Sequence, residues 1–186
     1  TVGIKGIFDS KYNVNHTELG IQKRFWFSAF GYTDILIKAG KVWDKAPYPM
    51  LIIPNANLSY TIREESYELM NPMEFINDEY VSWDLTYWAN GALLNRIPLI
   101  KYLKLREVVA FRGLYGNLTK KNNPENSIFV FPKETHLMSK MPYMEASVGL
   151  DNIFTVLRID YVWRLTYRNL PNISKSGVRI ALHFNF

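Results

Sequence analysis

The sequence predicts an all-β fold, an antiparallel transmembrane β-barrel with about eight strands in this chain. Three observations carry that expectation. Segment after segment alternates apolar and polar residues with period two, the signature of strands with one greasy and one wet face. The wet faces carry full charges, and an enclosed polar interior accepts these as readily as a soluble surface does. The connections alternate between short and long along the chain, as in outer-membrane barrels with short periplasmic turns and long surface loops.

The last strand shows the pattern most plainly. From Gly177 to Phe186, Val178, Ile180, Leu182, Phe184 and Phe186 share one face, and Arg179, Ala181, His183 and Asn185 share the other. Taken alone, this strand fits the edge of a soluble sandwich equally well. Residues 1–9 read as the first strand, followed by a polar turn. Residues 17–28 form the second, with Lys23 and Trp26 as exceptions to the alternation, and residues 33–43 the third. The interval 44–77 contains Pro47, Pro49, Pro54 and Pro72, a density that interrupts a ladder. Within it, 58–62 and 67–70 are candidates for short strands or a helical turn. The fourth strand is expected over 79–93, with a tight connection around Asn95–Lys101, and the fifth over 104–117. Glu107 breaks the apolar side of the fifth near its end, where charge costs least. A second long loop covers 118–141. Strands six and seven follow over 142–152 and 156–168, and in the seventh Ile159, Tyr161, Trp163, Leu165 and Tyr167 oppose Arg158, Asp160, Arg164, Thr166 and Arg168.

Composition sets bounds. The 186 residues suffice for one domain with a sizeable core. Mean hydropathy is −0.13, which a strand-built membrane protein shares with a soluble one. No run of about 18 apolar residues exists, so a membrane helix is excluded. Aromatic residues make up 15 %, in keeping with interfacial girdles or with a sandwich core. Cysteine is absent, which removes disulfides, thiol catalysis and thiolate metal sites. The net charge of +5 invites a nucleic-acid reading, but the arginines are scattered singly through strands, and no nucleic-acid partner is expected. The chain opens on a strand-like Thr1–Ile4 and reads as a mature chain or as the end of a longer one.

Candidate chemistry is sparse. His16, His136 and His183 lack metal-ligand spacing, so no metal and no cofactor are expected. Glu64 with Glu65, and Glu74 with Asp78, are paired carboxylates in loops, with nothing to bring them into one cleft. No phosphate-cradling glycine loop or glycine-flanked nucleophile is present. The chain is expected to be non-enzymatic, with no catalytic residue. Arg106, Arg112, Glu145, Asp160, Arg158 and Arg164 are expected to form a charge network inside the barrel, pairing across strands.

Several motifs occur together: Gly40-Lys41, Pro47-Tyr48-Pro49, Leu69-Met70-Asn71 through Glu74-Phe75, Leu94-Asn95-Arg96-Ile97-Pro98-Leu99, Leu105-Arg106-Glu107-Val108, Tyr115-Gly116, and Gly149 through Arg158 with Asn152-Ile153-Phe154. They resemble the C-terminal barrel of a Bacteroidota outer-membrane family, in which a carboxypeptidase-like regulatory domain precedes a barrel of unknown function. The resemblance covers nearly the whole chain, and 1–186 then reads as the C-terminal part of one barrel domain. That barrel is in turn similar to the BamA and TamA superfamily, so the eight strands would be the second half of a sixteen-stranded barrel. The interval 44–77 would correspond to the superfamily's lumen-folding surface loop, with Pro47, Tyr48, Pro49, Arg63, Glu74 and Phe75 as its marked residues, and the charge network would dock it. The superfamily's Val-Arg-Gly-aromatic tip is missing: Arg63 is followed by Glu64. Arg179, Ala181, Phe184 and Phe186 resemble a C-terminal barrel-assembly signal, with Ala181 in the place of its usual glycine. The resemblance implies the bacterial outer membrane as location, with its lipid, lipopolysaccharide included, as partner. It also implies other outer-membrane proteins or the assembly machinery as partners, and an assembly or translocation role. A passive scaffold or accessory barrel, and a soluble sandwich or ligand-binding barrel, are the alternatives.

Overall fold

A computed structural model describes residues 2–3, 13–127 and 129–182. It shows one antiparallel sheet in which each strand pairs with the next in sequence: β1 (Val2–Gly3), β2 (Val14–Trp26), β3 (Tyr32–Val42), β4 (Glu79–Trp88), β5 (Arg106–Asn117), β6 (Tyr143–Ile153), β7 (Leu157–Arg164) and β8 (Ser176–Leu182). Up-and-down order needs only local connections, so each alternating segment pairs with its neighbour. The only helical pieces among the described residues are short 3₁₀ turns, and no helix is long and apolar enough to cross a membrane.

The register makes the two faces explicit, because residues directly opposite one another across a ladder share a face. One row runs Phe25, Thr33, Tyr87, Val109, Val148, Tyr161, Val178 across β2 to β8. A row on the other face runs Gln22, Leu36, Asp84, Arg112, Glu145, Arg164. The first face is open: Ile21, Val109, Val148, Tyr161 and Val178 are all exposed. The second is covered from β5 to β8, where Glu145, Asp160 and Arg164 are buried, while its β2 residues, Gln22 among them, are exposed. In β6 and β7 the charged side is the buried side, the inverse of a half-buried strand in a soluble protein. Ile159, Trp163 and Leu182 stand on the open face and do not meet in a core, as a soluble sandwich would require.

The covering element is the connection between β3 and β4, residues 43–78, which folds across the covered face. It carries little regular structure and attaches through isolated bridges, Ile52 to Asn77 and Ala56 to Tyr67 within itself, Phe75 to His136, and Thr61 to Ile180. The last lies on the outer edge of β8, where the Ile62 amide donates to the Ile180 carbonyl at 2.8 Å and the Ile180 amide to the Tyr60 carbonyl at 2.8 Å. The apolar core sits between loop and sheet. Tyr67, Met70 and Phe75 pack with Leu114 and Tyr143, while Ala46, Leu51 and Ile76 pack with Val42.

Three expected boundaries move by about three residues or more. The fourth strand ends at Trp88, not Leu93, because Asn90 and Gly91 take positive φ and turn the chain away. The connection to β5 therefore spans 89–105. The seventh ends at Arg164, not Arg168. Tyr167 adopts positive φ and leaves the open-face stripe to pack on Phe75, ring centroids 5.0 Å apart. The second strand begins at Val14, three residues early. Connections 27–31, 89–105 and 154–156 lie at one end of the sheet and 43–78, 118–142 and 165–175 at the other; two of the first three are short as expected, but 89–105 is not the tight connection expected there and is longer than 165–175. Most of residues 1–9, together with Phe184 and Phe186, fall outside the described residues.

Candidate functional site

The covered face and the 43–78 loop meet in a set of charges (from β4 to β8) that fixes the loop in place. Period-two alternation puts Asp84, Arg112, Glu145 and Arg164 in one cross-strand row, so the sheet offers a line of alternating sign to whatever covers it. The loop answers with Glu68 and Glu74, both buried.

Glu68 is the hub. Its carboxylate lies 3.3 Å from Arg112 Nη1 and 3.4 Å from Arg179 Nε. It also accepts from the Arg63 amide at 3.2 Å and from the Asn57 side chain. Arg112 is shared with Asp84, 2.8 Å from Nε. Arg179 donates in addition to the Glu68 carbonyl. One turn further on, Arg164 forms a two-pronged pair with Glu74, one prong at 3.1 Å, and donates through Nε to the Thr166 carbonyl at 3.1 Å. Its guanidinium lies 4.7 Å from the Tyr143 ring centroid. Glu145 contributes as an acceptor: the Glu68 and Leu69 amides donate to its two oxygens at 2.9 and 2.7 Å, and the Tyr143 hydroxyl donates as well. A buried carboxylate held by backbone amides leaves the loop no other position at that point.

Tyr67 completes the seam, its hydroxyl donating to the Gly113 carbonyl at 3.0 Å. Burial, reinforced by Glu145, pushes the ionisation of Tyr67 well above the ordinary tyrosine range, so it stays a donor at neutral pH. On the open side of the same position, Trp83 lies across Gly113: a Cβ there would stand 2.1 Å from the indole. A glycine is needed where an aromatic ring covers the backbone so closely.

Of the residues singled out from sequence, Arg112, Glu145 and Arg164 come together around the loop. Arg158 and Asp160 form a separate buried pair with bonds of 2.8 and 2.6 Å, and the Arg158 guanidinium lies 4.7 Å from the Trp88 ring. Arg106 stands exposed at the start of β5, opposite Asp151. In the loop, Glu74 and Phe75 are central, and Pro47 is buried. Tyr48 packs on Phe131 of the second long loop, at 5.7 Å between rings, and Pro49 is exposed. The Arg63 side chain is exposed, and only its amide takes part. Arg179 and Ala181 lie in β8 facing the covered side, and Arg179 serves the loop. The paired carboxylates do not converge: Glu65 pairs with Lys38, Glu74 with Arg164, and Asp78 binds Thr119 and Asn122. Among the described residues no group of three metal-ligating side chains gathers.

Sequence reasoning missed Glu68, Asp84 and Tyr143. Asp84 and Tyr143 fall on rows that a cross-strand register would have exposed. Glu68 lies in a loop without periodicity, and nothing local marks it as buried. A cavity of about 330 Å³ remains beside the seam, lined by His16, Lys38, Glu65, Tyr80 and Arg112 among others.

A model of a family of unknown function, the DUF5686 C-terminal domain, matches residues 1–125. No curated protein and no solved structure matches the chain.

Proposed function

The chain belongs to the DUF5686 C-terminal-domain family, and from that premise we propose that it forms part of a Bacteroidota outer-membrane β-barrel whose interior is plugged by its own 43–78 loop. In this reading the open face of β2 to β8 contacts acyl chains, and lipopolysaccharide with the other outer-membrane lipids surrounds it. The strands of the rest of a sixteen-stranded barrel come from elsewhere in a longer chain. The observation that carries the reading is the inverted sheet, with apolar rows exposed and charged rows buried. A water-soluble protein loses hydrophobic free energy by that arrangement, roughly 25 cal/mol for each Å² of apolar surface left wet. A barrel in lipid recovers it.

The role we propose is assembly or translocation of other outer-membrane proteins, without an enzymatic step and without nucleic acid. It is supported by a long loop folded against the strands, which is what the sequence resemblance to the BamA and TamA superfamily implies. Arg179 and Ala181, with Phe184 and Phe186, would serve as the chain's own assembly signal. Depleting the protein and following the levels of other barrels tests the role. A fall in those levels supports it, and unchanged levels overturn it. A second reading, a passive scaffold or accessory subunit, draws on one feature: the loop is pinned by buried ion pairs from β5, β7 and β8 at once. It predicts unchanged levels together with loss of a co-purifying outer-membrane partner.

A further inference from the structure

The connection between β4 and β5, residues 89–105, presents a surface that the barrel reading alone does not explain. Leu93, Ile97, Leu99, Tyr102 and Leu103 are all exposed, Leu99 at 80 %. Their backbone is nonetheless well held. The Leu93 and Leu94 amides donate to Glu107 Oε1 at 3.1 and 2.6 Å, the Asn95 amide to the Gly91 carbonyl at 3.0 Å, and Asn152 Nδ2 to the Lys104 carbonyl at 2.8 Å. Leu99 sits at φ 77°, a conformation that a bulky side chain adopts at a cost. The fold thus spends strain to hold apolar side chains outward.

Within the turn itself the charges have one sign, and the Glu107 carboxylate at its base is engaged by the Leu93 and Leu94 amides. Residues 89–105 contain Arg96, Lys101 and Lys104 and no acid. Phe27, Phe30 and Phe154, from the neighbouring turns at the same end of the sheet, are exposed as well. Apolar side chains interleaved with cations on one rim, continuous with an open apolar sheet face, match the headgroup zone of a bilayer, where the apolar groups enter the acyl boundary and the cations meet phosphates.

We propose that the 89–105 turn is an interfacial anchor that lies in the headgroup layer of the leaflet at the short-turn rim and binds the phosphates of anionic phospholipid through Arg96, Lys101 and Lys104. A lipid surface accounts for the turn better than a protein partner does, since the turn's cations and exposed apolar side chains continue the open apolar face of β4 and β5, where Val81 and Val109 are exposed. The proposal rests on the barrel reading, and the experiment separates the two.

The full-length protein is folded into phosphatidylcholine vesicles with and without phosphatidylglycerol. A polarity-sensitive fluorophore is placed by Leu99→Cys on the turn, Ile21→Cys in the middle of the open face, or Glu125→Cys at the long-loop end. The Leu99 probe is expected to be blue-shifted and quenched by nitroxides at the shallow acyl positions. It is expected to resist aqueous iodide, and more strongly with phosphatidylglycerol present. Lys101→Glu with Lys104→Glu is expected to abolish the phosphatidylglycerol effect, each cation accounting for about fivefold in surface partitioning. Iodide quenching of the Leu99 probe equal to that of the Glu125 probe, with the Ile21 probe in lipid, overturns the anchor alone. Iodide quenching of the Ile21 probe overturns the barrel reading as well. A Leu99 probe shielded from both quenchers means that protein covers the turn, and one indifferent to phosphatidylglycerol removes the anionic recognition. Either result overturns the proposal.

Discussion

Arg164→Ala should release the 43–78 loop from the sheet while leaving the strands paired. Arg164 is fully buried and makes four donor contacts: two to Glu74, one to the Thr166 carbonyl at 3.1 Å and one to the Leu69 carbonyl at 3.4 Å. Truncating it strands the Glu74 carboxylate in a site that is 2 % exposed. Breaking a buried pair from one side costs about 3–5 kcal/mol, chiefly as the penalty of the charge left behind. At about 1.4 kcal/mol per tenfold, the population with the loop open rises by roughly two to three and a half orders of magnitude. Amide hydrogen exchange reads this directly. The Glu68 and Leu69 amides, which donate to Glu145, should lose protection by that factor, whereas amides in the β4–β5 ladder should not. Removing both charges together, Arg164→Met with Glu74→Met, should restore most of the protection, because an apolar pair of similar volume costs little. Unchanged exchange at Glu68 and Leu69 in Arg164→Ala would refute the claim that this pair holds the loop.

Gly113→Ala should destabilise the sheet by about 1–3 kcal/mol as the new methyl displaces the Trp83 ring, read as a lower urea midpoint in lipid vesicles; an unchanged midpoint would mean that the ring moves aside freely. Because Tyr67 is held protonated by burial, its folded-state ionisation is raised, so the stability it supports is complete below the ordinary tyrosine value and is lost as pH rises above about 10. Exchange of the loop amides should accelerate there, with a shallower pH dependence in Tyr67→Phe and, at neutral pH, a loss of about 1 kcal/mol from the missing bond to Gly113. Ile21→Arg, on the open face, should cost about 2–4 kcal/mol in a bilayer, while Gln22→Arg, one residue on and facing the other way, should cost far less; equal effects would remove the distinction between the faces.

The strands were legible because one face of each was consistently apolar, and period two fixes both element type and facing. Trp163 and Tyr161 could be placed on the open side, and Arg164 and Asp160 on the covered side, from alternation alone. Strand ends were less so. Leu93 continues the apolar character past Trp88, yet Asn90 and Gly91 turn the chain there. Tyr167 continues the β7 alternation in sequence but is taken by Phe75, a tertiary contact that no local pattern encodes. The charge set was readable on its strand half and opaque on its loop half. Glu68, the residue on which Arg112 and Arg179 converge, sits among Glu64, Glu65 and Ser66 with nothing to mark it as the buried one. Arg63 stood out in sequence as a marked residue of the loop, yet its side chain is exposed, and in the ion pairs between loop and sheet the cations come from the strands and the anions from the loop.

The sidedness of the sheet can be measured along β7. Nitroxide labels placed one at a time from Leu157 to Arg164 in the full-length protein, folded into vesicles, report collisions with oxygen, which concentrates in lipid, and with a neutral nickel chelate, which stays in water. A period-two profile is expected, with Ile159, Tyr161 and Trp163 open to oxygen and closed to nickel. High nickel access at those three positions would contradict the account, because the apolar rows would then face water.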